Sequence, residues 1–403
     1  MKTRTVIGLC LALALSAGRL AAQNSQDSTL SAKDIKFLKS FKLGGFLQYR
    51  YEYDDTSKSA GAGFVTGTAN PNDNNFYVRR GRVKFTYQPN ASSDYVFQFD
   101  GAKNTFVVKD AFIDLYHKFG QQKFALTAGQ FNIPFGFEIE EADTKNDFLE
   151  RSTAEGKLFN GERDRGVNLT YNAPKYIQIN VGLLQGYGIQ DNTFTWFDPT
   201  KSKDFVGRVK ASLGKLNIGF STYFGHTFAP GNPAVAAVPS ITTWYDVNGD
   251  GVVDAGDSIK TTPGKAAKAA TPGTEYQKNR VGMDAQLDLH LIPVGATGIK
   301  GEFYGARDKG LTEQGWYVRL SQALGKKFAG AVRYDFWDPN TNDGPVDRAI
   351  GTYGFVAWYA FDANIRLTLA YDIPQLLKGS STFSKSSNDI EDNKLSLQFQ
   401  YAL

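Results

Sequence analysis

The last nine residues, LSLQFQYAL, place Leu395, Leu397, Phe399, Tyr401 and Leu403 on one face of an extended chain and Ser396, Gln398 and Gln400 on the other. Successive side chains of a strand point to opposite faces, so this pattern fits a strand with one face in an apolar medium and one in a polar medium. LGGFLQYRYEY repeats it: Leu43, Gly45, Leu47, Tyr49, Tyr51 and Tyr53 oppose Gln48, Arg50 and Glu52. In RRGRVKFTY, the polar face is Arg80, Arg82, Lys84 and Thr86, opposite Val83, Phe85 and Tyr87. The same test along the chain finds about sixteen such segments of about 9–11 residues, the length of a tilted membrane-barrel strand. They span 43–53, 75–87, 93–102, 105–117, 122–131, 165–173, 176–186, 203–213, 215–225, 279–290, 296–306, 313–323, 327–337, 350–360, 363–371 and 393–403.

Alternation alone does not separate a membrane barrel from a soluble sandwich. The connections do. Short ones (QPNAS, KFGQQ, NAPK, LGK, LIPVGA, ALGKK, FDAN) carry Gly, Pro and Asn turn chemistry and alternate with long ones, notably 54–74, 133–164, 226–278, 338–349 and 372–392. Short periplasmic turns and long extracellular loops are the asymmetry of a transmembrane β-barrel. MKTRTVIGLCLALALSAGRLAA reads as a signal peptide over 1–22, with Lys2 and Arg4 before an apolar run and small residues before the cut. A periplasmic segment over 23–40 and a barrel over 41–403 would follow.

Loss of 1–22 would remove Lys2, Arg4 and Arg19 and no acid. The 45 basic residues would then fall to 42 against 41 acidic ones, a balance that does not indicate nucleic-acid binding. It would also remove Cys10, the one cysteine, leaving no disulfide or thiolate site. The fold class is therefore all-β: a transmembrane antiparallel β-barrel of about sixteen strands in the outer membrane of a Gram-negative bacterium.

From Phe76 to Gly166, the ordered pieces FYVRRGRVKFTY, VVKDAFIDLY, LTAGQFNIPFGFE, FLERS and ERDRGVNL resemble the phosphate-selective porin O and P family. The resemblance implies a sixteen-stranded, trimeric porin whose third outer loop folds into the lumen. It also implies an anion-preferring channel lined by arginine and lysine.

The charges bear on that expectation. Arg80, Arg82 and Lys84 form a row on one strand, about 6.6–7 Å apart by the strand rise, and such rows set anion selectivity in pores. Arg208, Lys210, Arg319 and Arg333 share the lumen face on other strands, as do acids including Asp110 and Asp114. Arg79 breaks phase and should face lipid unless a bulge re-aims it; by resemblance, the Arg79-Arg80 pair belongs to the constriction. Within the third loop, Arg151 and Arg163 are the candidates, amid an acidic load that includes Glu138, Glu141, Asp143 and Glu150. Two readings stay open: a ladder that steers anions, or acids and bases paired across strands that keep the lumen wet.

DVNGDGVVDAGD, in the longest loop, has the calcium-loop spacing. Asp246, Asn248, Asp250, the Val252 carbonyl, Asp254 and Asp257 are the ligands, with Gly251 at the sharp turn. Asp257 is shorter than the usual Glu and no flanking helices are visible. A weak structural Ca²⁺ site is expected, with Kd on the order of 10⁻⁴–10⁻³ M.

The reading is a porin for passive diffusion of small hydrophilic, phosphate-like anions, partnered by outer-membrane lipid and by its own copies in a homotrimer. The alternative is a non-conducting barrel serving as a binding or assembly scaffold through its large loops. Third is an outer-membrane hydrolase, for which His117, His226 and His290 are scattered and no Ser-His-acid pattern is visible.

Overall fold

The computed structural model describes residues 37–54, 73–102, 105–174, 176–189, 198–245, 247, 249, 251, 258–342, 349–377 and 393–403. The expected signal peptide and most of the expected periplasmic segment lie outside them, as do all six expected calcium-ligand residues.

The strands, in chain order, begin with β1 (Phe41–Asp54), β2 (Asp73–Asn90), β3 (Ser93–Asp100), β4 (Val107–Phe119), β5 (Gln122–Asn132) and β6 (Arg163–Asn172). Next come β7 (Ile177–Leu184), β8 (Asp204–Leu213), β9 (Leu216–Ala229), β10 (Ile241–Tyr245), β11 (Ser258–Thr262) and β12 (Thr274–Ile292). The rest are β13 (Gly295–Asp308), β14 (Leu311–Leu324), β15 (Phe328–Asp338), β16 (Ile350–Ala360), β17 (Ile365–Leu376) and β18 (Lys394–Ala402). Two short helices, α1 (Phe137–Glu140) and α2 (Thr153–Leu158), lie between β5 and β6.

All strands except β10 and β11 form one closed antiparallel barrel, sealed by β1 against β18 with Tyr49 opposite Phe399 and Arg50 opposite Gln398. Closure leaves no sheet edge, the condition for strands to cross a bilayer. Burial is inverted relative to a soluble protein. Arg50, Arg208 and Arg319 are among the largest fully buried side chains, while Leu47, Tyr49, Leu397 and Phe399 are exposed on the outer face. That inversion is what lipid outside and a polar lumen inside require.

The sixteen expected segments coincide with the sixteen barrel strands, but several run longer. β9 reaches Ala229 and β12 begins at Thr274, with those two residues in register. The expected loop 226–278 shrinks to 230–273. Backbone pairing needs no apolar face, so the ladder continues where alternation stops. Residues 91–92, 120–121, 214–215, 293–294, 325–327 and 361–364 make short turns on one end, where β6 also leads into β7.

Among the described residues, the larger apolar core lies inside the lumen, between the third loop and the wall. Phe135, Ile139, Ala154, Leu158 and Phe159 from the loop pack with Leu184, Val206, Tyr223, Tyr304 and Trp337 from the strands. Phe148 and Leu149 pack a second patch against Ala331, Val356 and Ala370. The wall is notched to receive them. A Cβ on Gly315 would come within 2.3 Å of the Ala154 methyl, and one on Gly282 within 2.6 Å of the Phe135 ring.

Candidate functional site: a constriction latched across the lumen

The third loop enters the barrel and is pinned first through its backbone. Wall carboxylates accept its orphan N–H groups, as the start of a helix demands. Glu302 of β13 accepts from Phe137 at 3.1 Å and Glu138 at 3.0 Å, and Asp335 of β15 accepts from Thr153 at 2.7 Å. The Glu138 carboxylate in turn accepts from the Ser152 N–H (3.0 Å) and hydroxyl (2.6 Å), tying α1 to the start of α2.

The loop's acids then meet the wall's cations. Glu150 takes three arginines: Arg79 at 2.6 Å, Arg50 at 2.8 Å and Arg80 at 2.9 Å. Burial alone would push its carboxyl up, but Arg80, Arg79 and Arg50 hold it well below the usual carboxylate range. Asp143 is bonded by Arg82 and by Arg151 (3.2 Å). Lys300 and Arg319 reach Glu141 at 3.1 and 2.7 Å, while Arg208 and Lys210 reach Glu140 at 3.2 and 2.7 Å. Arg333 donates to the Glu150 carbonyl at 3.0 Å.

The expected site residues are thus brought together, but most of them hold the loop. Arg80 and Arg82 are buried in ion pairs, and of the expected row only Lys84 has no ion pair among the described residues. Arg79 enters the lumen through a bulge: Gln48 pairs with Arg80 and Tyr49 with Val78, leaving Arg79 as the extra residue. Arg163, expected within the third loop, is instead the first residue of β6, opposite Asn132 and bonded to Asp110 at 2.6 Å. The stretch GERDRG has no apolar residue to reveal strand phase, which is why the loop's end was misplaced.

Glu150 as the focus of three arginines was missed, since nothing in FLERS says which of many acids they meet. The contact of Ser202 Oγ with His226 Nδ1 at 2.7 Å was also not visible in sequence. Asp204 there accepts from the His226 backbone N–H at 3.0 Å and not from its ring. Among the described residues, no carboxylate is hydrogen-bonded to the His226 ring, the contact that would orient a catalytic base.

Cavities lie on both sides of the loop. One of about 560 Å³ at the short-turn end is lined by Phe137, Glu140, Arg208, Lys210 and Asp284. Another of about 370 Å³ at the long-loop end is lined by Phe159, Asp164, Tyr223, Lys278 and Arg280.

The barrel is matched by known proteins. The family model for phosphate-selective porin O and P matches residues 47–261. No curated protein matches the sequence. Among solved structures, the trimer form of OmpT from Vibrio cholerae superposes with a TM-score of 0.52 at 14% identity, over 90% of this chain and 100% of that one. An anion-selective porin from Comamonas acidovorans gives 0.52 at 10% identity, over 90% and 99%. The outer-membrane channel DcaP of Acinetobacter baumannii gives 0.54 at 10%, over 90% and 97%. At such identities these likenesses concern the fold.

Proposed function

Since the chain belongs to the phosphate-selective porin O and P family and is an outer-membrane porin, we propose that its passive channel prefers small anions of the phosphate type. One observation carries this reading: three guanidinium groups converge on the single carboxylate of Glu150, whose side chain keeps 40% of its surface open. Arg50 also meets Glu52 at 3.3 Å, which Lys394 shares at 3.0 Å, and Arg80 lies 3.9 Å from Asp143, which Arg82 and Arg151 share. Arg50, Arg79 and Arg80 thus face Glu150 with only partial shares of two further acids, which leaves a modest positive surplus on the β1–β2 side of the constriction. Rows of fixed positive charge of this kind favour anions, and arginine's always-charged fork suits phosphate oxygens. The reversal potential across a KCl gradient in a planar bilayer tests it; a cation-selective channel would sink the reading. The role is transport, with no catalytic step.

Two further assignments are proposals. A homotrimer is supported by the trimeric form of a fold relative; crosslinking in native membranes that yields only monomers would refute it. Calcium binding by Asp246, Asn248, Asp250, Val252, Asp254 and Asp257 rests on their spacing. It is favoured by the hairpin beneath them, in which β10 and β11 pair with Tyr245 opposite Ser258 and so bring the ends of the twelve-residue loop together.

A further inference from the structure

The chamber on the long-loop side of the third loop has a charge pattern unlike that of the constriction. Its walls bring Lys278, Arg280, Asp164 and Asp308 around a cavity of about 370 Å³. Two of these groups are satisfied where they stand. Lys278 bonds Asp204 at 2.7 Å and donates to the Gly186 carbonyl. Asp164 accepts the backbone N–H groups of Arg165 and Gly186, both at 2.7 Å. Arg280 and Asp308 are not. Arg280 is 9% exposed, its guanidinium held against the rings of Phe159 (4.7 Å) and Tyr223 (5.5 Å). It meets Asp308 at 3.7 Å, too far for a hydrogen bond. Among the described residues, Arg280 Nε and Asp308 Oδ1 are both buried with no hydrogen-bond partner. A buried donor or acceptor left unmade is costly, and here one of each sign lies on neighbouring strands, β12 and β13, in the wall of one cavity.

The charge balance narrows what could answer them. Asp164, Asp204 and Asp308 outnumber Lys278 and Arg280, while Glu313 and Lys309 nearby add one charge of each sign. A lone anion is therefore disfavoured, and a lone cation leaves Arg280 unanswered. A solute with both charges close together answers both groups. Its carboxylate accepts from the guanidinium and its ammonium donates to Asp308, each through a charge-assisted bond. We propose that this outer chamber binds small zwitterions of the α-amino-acid class, with Arg280 receiving the carboxylate and Asp308 the ammonium. Binding there does not depend on the anion preference of the constriction, since none of Glu150, Arg50, Arg79 and Arg80 lines the chamber.

Saturation-transfer NMR on the full-length barrel in detergent, with L-alanine as the probe, tests the site. Acetate, methylamine and glucose are the comparisons: a carboxylate alone, an ammonium alone and neutral hydroxyls. Wild type should bind alanine at least tenfold more tightly than any of the three, since each lacks one or both charge-assisted bonds. Arg280→Gln and Asp308→Asn should each weaken alanine binding about tenfold, and inorganic phosphate at equal concentration should not displace alanine from wild type. Should either variant fail to insert, the ranking of the probes on wild type decides alone. Alanine bound no more tightly than acetate, methylamine or glucose, bound equally by wild type and both variants, or displaced by phosphate overturns the assignment. The reversal potential of the same wild type in a KCl gradient reports separately on the constriction: a cation-selective channel that binds alanine sinks the anion reading and leaves the zwitterion site standing.

Discussion

At Glu150, a single carboxylate faces Arg50, Arg79 and Arg80, so its charge does two things at once. It holds the third loop to the β1–β2 wall, and it masks part of the positive field. Glu150→Gln separates these effects. The variant should show a higher anion-to-cation permeability ratio and noisier single-channel current, as the loop loses one attachment. Its thermal midpoint should move only by a few degrees, because 40% of the Glu150 side chain is open and solvent screens the pairs. Unchanged selectivity in bilayer recordings would mean that the arginines do not face the solute path. Because the folded carboxyl titrates well below the ordinary range, this attachment is present at neutral pH. It is lost only as pH falls through that lowered value.

Among the elements, α2 carries an internal conflict. Glu155 is 2% exposed, and its Oε1 has no hydrogen-bond partner among the described residues. Burial pushes its carboxyl well above the usual range; Arg151 opposes this, while Glu162, Glu138 and Glu302 reinforce it. The sign is the reverse of Glu150. A folded carboxyl raised above its unfolded value contributes stability at low pH, and that contribution declines as pH rises between the two values. Glu155→Gln should therefore stabilise the seated loop by about 1–3 kcal/mol at pH 8, the cost of an unsatisfied buried polar group. Near pH 4 it should change little. Thermal midpoints of the two barrels measured at both pH values check this; equal differences at pH 4 and pH 8 would remove Glu155 from the account.

For the whole molecule, the ladder between β9 and β12 ends at Ala229 opposite Thr274, and residues beyond it form an exposed extension. Val235 bridges Lys268 and Val238 bridges Lys265, below the β10–β11 hairpin. Nearly all of the segment's described residues are exposed, so it buries little against the barrel and should be dispensable to it. Replacing 230–273 with a two-residue Asn-Gly turn should leave folding and conductance unchanged. In the intact protein, chelation of calcium should expose the segment between β10 and β11 to protease while the barrel stays intact. A cleavage pattern indifferent to chelator would rule out the calcium clip.

Alternation along LGGFLQYRYEY and LSLQFQYAL, with turn residues between segments, was enough to specify strand number, facing and closure. A membrane barrel imposes one rule on every strand, apolar outward and polar inward, and a period of two records it locally. The cations of the lumen were legible for the same reason, since Arg80, Arg82 and Lys84 follow that phase. Their partners were not. Which of the third loop's acids meets which arginine depends on how an inward-folded chain lies across a barrel wall far away in sequence, as for Arg319 and Glu141, 178 residues apart. The bulge at Arg79 needed the register of two strands at once, because one extra residue is defined only against its neighbour. Sequence by itself determined the barrel and its supply of charge. Only the tertiary structure decided which charges are spent holding the loop and which remain for a passing anion, because pairing at 3 Å is a property of space and not of order along the chain.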